Sequence, residues 1–233
     1  MIEKIKIISP HFDDGVFSAF NLINQNNTSL ITVFSQIPNQ NISTLWDRLC
    51  SGQSSNQTMK KRQLENQIAL QSYHTKLINL DLLDYQYRRH NIKKDIILSE
   101  LSKHISRQDQ LFFPLALSRY FVHPDHQILA SIGLKLLQQN YQIGFYIDQP
   151  YMIPPIIFKA SYRKKMIKKI YQKYQINCQI RIIKLSPNNR QKKNYTMHQY
   201  KTQYFFTNLA SFGRLSLINY LGQEVYIIPN KAL

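Results

Sequence analysis

Hydrophobic and polar residues are arranged in short blocks that predict strands and helices in turn. Lys4 to Ser9 alternates like a half-buried strand, Gly15 to Asn24 has the spacing of a helix, and Ser29 to Phe34 is a second apolar run. Asn26 and Asn27 are typical turn residues between the last two blocks. The chain therefore predicts a β-α-β beginning.

The alternation of strands and helices continues through the middle of the chain. It predicts a helix at about Gln57 to Tyr73, a strand at Leu77 to Leu80, an amphipathic stretch at Ile92 to Ile105, a strand at Gln110 to Pro114, a helix at Pro124 to Gln139 and a strand at Ile143 to Ile147. This pattern favours a mostly parallel sheet covered on both faces. We expect one α/β domain over residues 1–233, with a Rossmann-like three-layer fold.

Basic residues dominate the second half of the chain. Tyr162 to Lys165, with Lys168 and Lys169, lies on a predicted helix, and Pro187 to Lys193 is predicted to be a loop. The net charge is +17. Such a charge favours nucleic acid, anionic lipid headgroups or acidic small substrates, but AT-rich coding also produces Lys-rich and Asn-rich composition. The charge alone names no partner.

The N-terminus and the two cysteines bear on the compartment. Met1 leads directly into the first predicted strand, without the long apolar region of a signal peptide. No apolar run approaches the roughly 20 residues that span a bilayer. Cys50 and Cys178 are too few for a disulfide framework or a cysteine-based structural zinc site. We therefore expect a cytoplasmic protein without a transmembrane segment.

The first of two polar clusters occupies the turn after the first predicted strand. It contains His11, Asp13 and Asp14, at the strand end where open α/β sheets bind ligands. An imidazole beside two carboxylates suits a first-row metal, notably zinc. The alternative is a solvated turn in which an aspartate caps the next helix.

The second cluster, His123-Pro124-Asp125-His126, follows another predicted strand. Pro124 suits the first turn of a helix, and His123 and His126 then share one helix face. Taken alone, the pair also fits a helix start with surface imidazoles or a capping histidine. Together the clusters offer His, Asp and His ligands with a fourth position for water, which is the arrangement of a catalytic zinc.

These motifs resemble those of the PIG-L/LmbE-like family of zinc-dependent N-acetylglucosaminyl deacetylases, which carries PHxDD near the N-terminus and HxDH further on. The sequence has PHFDD and HPDH. Shorter pieces also agree in order: Trp46-Asp47, Arg62 with Glu65, Leu80 to Asp84, Pro114-Leu115, Tyr146 with Asp148, and Tyr200 to Gln203. The chain departs from the family pattern at Phe12, at Gly15, where the common form has Glu, and at Ile147, where an acid is usual.

The resemblance implies a hydrolytic N-deacetylase that acts on an N-acetylated amino sugar or glycoconjugate. His11, Asp14 and His126 would hold Zn²⁺ or another divalent first-row metal, and Asp13 would be the general base as metal-bound water attacks the amide carbonyl. A protonated His123 would stabilise the oxyanion and deliver a proton to the leaving amine. Asp125 would orient a histidine.

Two further residues are candidate substrate contacts. The resemblance makes Arg62 one of them, although a structural ion pair with Glu65 on the same helix face is the alternative. Asp84 suits a sugar hydroxyl, but it equally suits a turn.

The basic charge leaves other classes of function open. An anionic amino sugar would account for it, as would a nucleic-acid or anionic-surface binding protein. We expect no nucleic acid, because no zinc-finger or RNA-binding motif is present. A family member that acts on another amide remains a further alternative.

Overall fold

A computed structural model describes residues 4–39, 42–116, 123–149, 160–217 and 221–230. Its strands are β1 (Ile5–Ser9), β2 (Thr28–Thr32), β3 (Lys76–Asn79), β4 (Gln110–Pro114), β5 (Gln142–Tyr146), β6 (Cys178–Lys184) and β7 (Gln223–Pro229). They form one sheet in the order β3-β2-β1-β4-β5-β7-β6. The strands from β1 to β5 pair in parallel, whereas β7 pairs antiparallel with β5 and β6. The predicted α/β fold with a mostly parallel sheet is confirmed.

Helices cover both faces of the sheet and give the fold its three layers. They are α1 (Asp14–Ile23), α2 (Leu45–Ser51), α3 (Ser55–Leu70), α4 (Lys94–Ser102), α5 (Pro124–Gln138), α6 (Ala160–Tyr174), α7 (Pro187–His198) and α8 (Tyr204–Ala210). One apolar core contains Ile97, Leu129 and Ile170 of α4, α5 and α6. The core on the other face contains Phe17 of α1 and Met59 of α3.

The loop predicted at Pro187 to Lys193 is wrong, because this segment begins α7. Ser186 caps the helix by accepting a hydrogen bond from the Asn189 backbone N–H at 3.2 Å. Because the segment is mostly polar, its sequence did not indicate that one side of α7 is buried. Lys193 on that side is fully buried and donates to Glu224 at 2.9 Å.

Both cysteines lie in the part of the chain that the structure describes. Cys50 and Cys178 are buried and free. Among the described residues, no helix is both long enough and apolar enough to cross a membrane.

The order in which the chain adds strands to the sheet reverses between β1 and β4, and the two polar clusters lie at this point. After β1 the chain continues to β2 on one side, and after β4 it continues to β5 on the other. Such a reversal opens a crevice at the carboxyl ends of the two strands. Asp14 begins α1 directly after β1, and His123 caps the start of α5 after β4. The topology therefore brings both clusters to one edge of the sheet.

Candidate active site

Side-chain hydrogen bonds fix the turn that carries the first cluster. Ser9 Oγ donates to the His11 carbonyl oxygen at 2.6 Å and accepts from the Gly15 backbone N–H at 2.9 Å. The His11 backbone N–H donates to Asp14 Oδ2 at 2.9 Å. These bonds hold His11 and Asp14 close to each other at the end of β1.

At Gly15, α1 packs closely against the sheet. A Cβ atom at this position would lie 2.6 Å from Leu30 Cδ1, and Leu30 is almost fully buried in β2. No side chain fits there without displacing Leu30. The replacement of the family's usual Glu by Gly15 therefore has a local steric reason.

Asp14 lies between two imidazole rings in a geometry that fits a metal centre. Its Oδ2 atom is 3.0 Å from His11 Nδ1 and 3.2 Å from His126 Nε2. Ligand atoms around a tetrahedral zinc with bonds of about 2.0 Å are about 3.3 Å apart. Nitrogen and carboxylate oxygen are also donors that zinc accepts. Asp14 Oδ2 is thus at a suitable ligand spacing from each of the two rings.

Further potential ligands lie close to this trio. Ring nitrogens of His11, His123 and His126 lie within 4.8 Å of one another, and so do ligand atoms of His11, Asp84, His123 and Asp125. Neither of these two groups includes Asp14, and in both of them His11 is combined with His123.

Asp125 holds His11 from the side opposite Asp14. Its Oδ2 atom is 3.3 Å from His11 Nε2 and accepts from the Tyr85 backbone N–H at 2.9 Å. The other oxygen pairs with the Arg88 guanidinium. Asp125 is fully buried, so these contacts fix its carboxylate. The contact of this carboxylate with His11 Nε2 restricts the orientation of the His11 ring.

Asp148 contacts the His126 ring as Asp125 contacts that of His11. The sequence motifs assigned Asp148 no role. Its Oδ2 atom lies 3.2 Å from His126 Nδ1, on the far side of the ring from Asp14. Its Oδ1 atom is buried without a hydrogen-bond partner among the described residues. The available signal was its position just after β5, at the carboxyl edge of the sheet.

Asp13 does not behave as a helix cap, although it occupies the N-cap position of α1. Its side chain makes no capping hydrogen bond to that helix. Asp13 Oδ1 instead accepts from Gln203 Nε2 at 2.5 Å. Burial and the neighbouring Asp14 charge raise the pKa of Asp13 to about 7. Gln203 belongs to one of the short pieces that resemble the family. Its contact with Asp13 joins residues 190 positions apart, so no local pattern indicated it.

His123 does cap a helix, and this contact defines which of its nitrogens carries hydrogen. The Asp125 backbone N–H donates to His123 Nδ1 at 3.3 Å, so a neutral ring carries its hydrogen on Nε2. Burial and the neighbouring His11 ring lower the pKa of His123 to about 4. The expected protonated form is therefore disfavoured near neutral pH, and the neutral ring remains a hydrogen-bond donor.

Arg62 and Asp84 both lie at the cavity, but the suggested ion pair of Arg62 with Glu65 is absent among the described residues. Glu65 accepts from the Thr202 hydroxyl at 2.6 Å. Arg62 Nη2 lies 3.5 Å from Asp47 Oδ1, and its Nε atom has no hydrogen-bond partner in the described chain. Asp84 caps a short 3-10 helix through the Gln86 backbone N–H at 3.1 Å.

The residues of the two clusters face a cavity of about 610 Å³. All the sequence-predicted site residues line it except Asp125, which lies behind His11. Trp46, Tyr85, Gln203 and Thr207 are among the other residues of its wall. The volume suits a ligand the size of a sugar, and the aromatic side chains offer faces for its ring.

No protein-family model matches this sequence, and no curated protein matches it. Solved structures that share its fold include three deacetylases. They are the A40926 pseudoaglycone deacetylase Dbv21 (18% identity, TM-score 0.68, 99% of this chain and 98% of that chain), a zinc-inhibited form of the teicoplanin deacetylase Orf2 (17%, 0.68, 99% and 100%) and N,N'-diacetylchitobiose deacetylase from Pyrococcus horikoshii (13%, 0.61, 97% and 84%).

The chain thus has the fold of deacetylases of the LmbE/PIG-L type over almost its whole length. The fold implied by PHFDD and HPDH is confirmed. At these identities the likeness concerns the fold, and the chemistry has to be argued from the site.

Proposed function

We propose that this chain is a metal-dependent hydrolase that removes the acetyl group from an N-acetylated amino sugar or glycoconjugate. The position of Asp14 Oδ2, 3.0 Å from His11 Nδ1 and 3.2 Å from His126 Nε2, carries the proposal. The descriptions of the solved structures as deacetylases support it, and one of them is named for an N-acetylated sugar.

In this proposal His11, Asp14 and His126 hold the metal. Asp125 and Asp148 occupy the outer nitrogens of the two rings, which is the arrangement that strengthens histidine ligands. A bound zinc ion would supply Lewis acidity, lowering the pKa of water and polarising an amide carbonyl. Another divalent first-row metal suits the same donors.

Asp13 is the proposed general base. It lines the cavity next to Asp14, and Gln203 fixes its carboxylate from the other side. It accepts the proton of the attacking water and returns that proton to the leaving amine nitrogen, so the proton balance closes on one residue. Gln203 restricts its rotation during both transfers.

His123 is the proposed donor to the oxyanion. The Asp125 backbone N–H occupies its Nδ1 atom, which leaves the Nε2 hydrogen free to face the cavity. A neutral imidazole donor of this kind stabilises negative charge on the carbonyl oxygen without carrying a charge itself.

Arg62 and Asp84 are the proposed contacts to the sugar hydroxyls. Arg62 is nine-tenths buried or more, faces the cavity and has donors without partners in the described chain. Asp84 supplies acceptor oxygens in the same cavity. Trp46 and Tyr85 offer apolar surface to the ring of the sugar.

The test is acetate release from a panel of neutral and anionic N-acetyl amino sugars, together with simple acetamides, by the metal-loaded protein. We expect hydrolysis of at least one amino sugar, lost on Asp13→Ala. The control Asp81→Ala removes an exposed carboxylate outside the cavity and should retain activity. Hydrolysis that survives Asp13→Ala would contradict the proposed role, and hydrolysis of simple acetamides alone would contradict the sugar substrate.

A further inference from the structure

The outer sides of α2 and α8 expose large apolar side chains to solvent. Leu45 and Leu49 on α2 are 68% and 51% exposed, and Phe205 and Leu209 on α8 are 62% and 63% exposed. Phe212, just beyond α8, is 87% exposed. Spacings of four and three residues place these side chains on one side of each helix. We call these five residues the apolar rim.

The two helices that carry the apolar rim pack against each other and also form a wall of the cavity. The ring of Trp46 on α2 lies 6.4 Å from the ring of Phe206 on α8. Trp46, Thr207 and Ala210 line the cavity from the same two helices. The apolar rim is therefore on the outside of the wall whose inside faces the candidate active site.

The two segments that carry the apolar rim have exposed charges of one sign. Arg48 and Lys201 in these segments are exposed, and Arg214 is partly exposed. In residues 42–52 and 200–217 the sequence contains one acidic residue, Asp47, and it is fully buried. Its carboxylate accepts hydrogen bonds from Ser55 and Tyr87. The surface of these segments thus presents cations and apolar groups without an exposed carboxylate.

Phe212 has an unfavourable backbone conformation as well as an exposed ring. Its φ of 56° is in the left-handed region, which bulky residues rarely adopt. It follows α8 at the position where helices commonly end in glycine, and Gly213 follows it. Core packing does not explain an aromatic residue that is 87% exposed in this conformation.

We propose that the apolar rim docks on the surface of an anionic lipid bilayer. Exposed Leu and Phe on one side of short helices, flanked by Lys and Arg, form the combination that inserts at the headgroup and acyl boundary. Acidic headgroups complement the local cations and the net charge of +17. An acidic protein surface would match the cations but would leave the exposed Phe and Leu without an apolar partner.

Docking in this orientation places the wall of the cavity next to the membrane. A sugar carried by a lipid would then reach the candidate active site from the bilayer. This consequence for the substrate rests on the proposed deacetylase function, whereas the docking itself does not.

The test is co-sedimentation of the full chain with vesicles, carried out without any turnover. We expect binding to vesicles that contain phosphatidylglycerol, and weaker binding to phosphatidylcholine alone. Phe205→Ser/Phe212→Ser should bind at least about tenfold more weakly, since burial of one large apolar side chain is worth more than a factor of ten. Tyr195→Ser, which removes a 70% exposed aromatic from α7, is the matched control and should bind like the unmodified chain.

Circular dichroism and thermal melting check that both variants fold. Equal binding of Phe205→Ser/Phe212→Ser and the unmodified chain would overturn the proposal, as would a lack of binding to either vesicle. Equal binding to both vesicle types would overturn its electrostatic part. Hydrolysis of a water-soluble N-acetyl sugar by Phe205→Ser/Phe212→Ser should be unchanged, so a failure of docking and a failure of the deacetylase proposal give different results.

Discussion

His126 is held between two carboxylates, with Asp14 Oδ2 3.2 Å from its Nε2 atom and Asp148 Oδ2 3.2 Å from its Nδ1 atom. The ring therefore has one nitrogen for the proposed metal and one that is fixed by a buried partner. Burial alone would lower the pKa of His126, but Asp14 and Asp148 raise it to about 10. The pair of contacts shows how strongly this pocket attracts positive charge.

Asp148→Asn should weaken zinc binding by about 10- to 100-fold, the usual effect of losing the partner of a ligating histidine. The amide keeps the size of the side chain, so the fold should remain. Competition with a chromophoric chelator measures the affinity. Asp81→Asn, which changes an exposed carboxylate, should bind zinc normally. An affinity of Asp148→Asn equal to that of the unmodified chain would show that this contact does not support the metal site.

Gly15→Ala should lower the free energy of unfolding by about 1 to 3 kcal/mol, because its Cβ would overlap Leu30 Cδ1. Leu30→Val removes that atom. The double variant should therefore lose less stability than the two single variants combined. Urea unfolding monitored by circular dichroism gives all three values. Additive losses would mean that Leu30 is not the residue that excludes a side chain at position 15.

Lys193→Ala should destabilise the fold by about 3 to 5 kcal/mol, since it leaves the Glu224 carboxylate buried without its cation. Asn21 N–H and Tyr226 Oη–H would still donate to Glu224. Lys193→Met combined with Glu224→Gln removes both charges and should recover much of the loss. Urea unfolding again measures the difference. A double variant as unstable as Lys193→Ala would exclude the unpaired charge as the cause.

Local signals in the sequence allowed β1 to β5 and the grouping of the two polar clusters to be predicted, whereas β6 and β7 were not predicted. Strand and helix periodicity located β1 to β5. The short motifs PHFDD and HPDH contained the residues that meet where the strand order reverses, between β1 and β4. The parallel topology then brought the two motifs, and with them His11 and His126, close together. The motifs are distant in sequence, since Asp125 follows His11 by 114 positions.

The rest depends on contacts that no local pattern encodes. Asp148 and Gln203 reach the site from distant parts of the chain, and neither is part of a motif with a metal-ligand spacing. The helical structure of Pro187 to Lys193 was missed because its buried side includes the charged Lys193, which the distant Glu224 and Gln149 stabilise. Glu65 likewise has a distant partner, because it accepts a hydrogen bond from Thr202 and does not pair with Arg62 in the described chain. Tertiary partners decided each of these cases.

The most direct test of the proposed metal centre is the zinc content of the purified chain, measured beside Asp14→Ala and Asp13→Ala. Asp14 lies between the rings of His11 and His126, whereas Asp13 is bonded to Gln203. We expect stoichiometric zinc in the unmodified chain and in Asp13→Ala, and its loss in Asp14→Ala. A folded, unmodified chain that binds no divalent first-row metal, or Asp14→Ala with its zinc intact, would contradict the proposed metal centre.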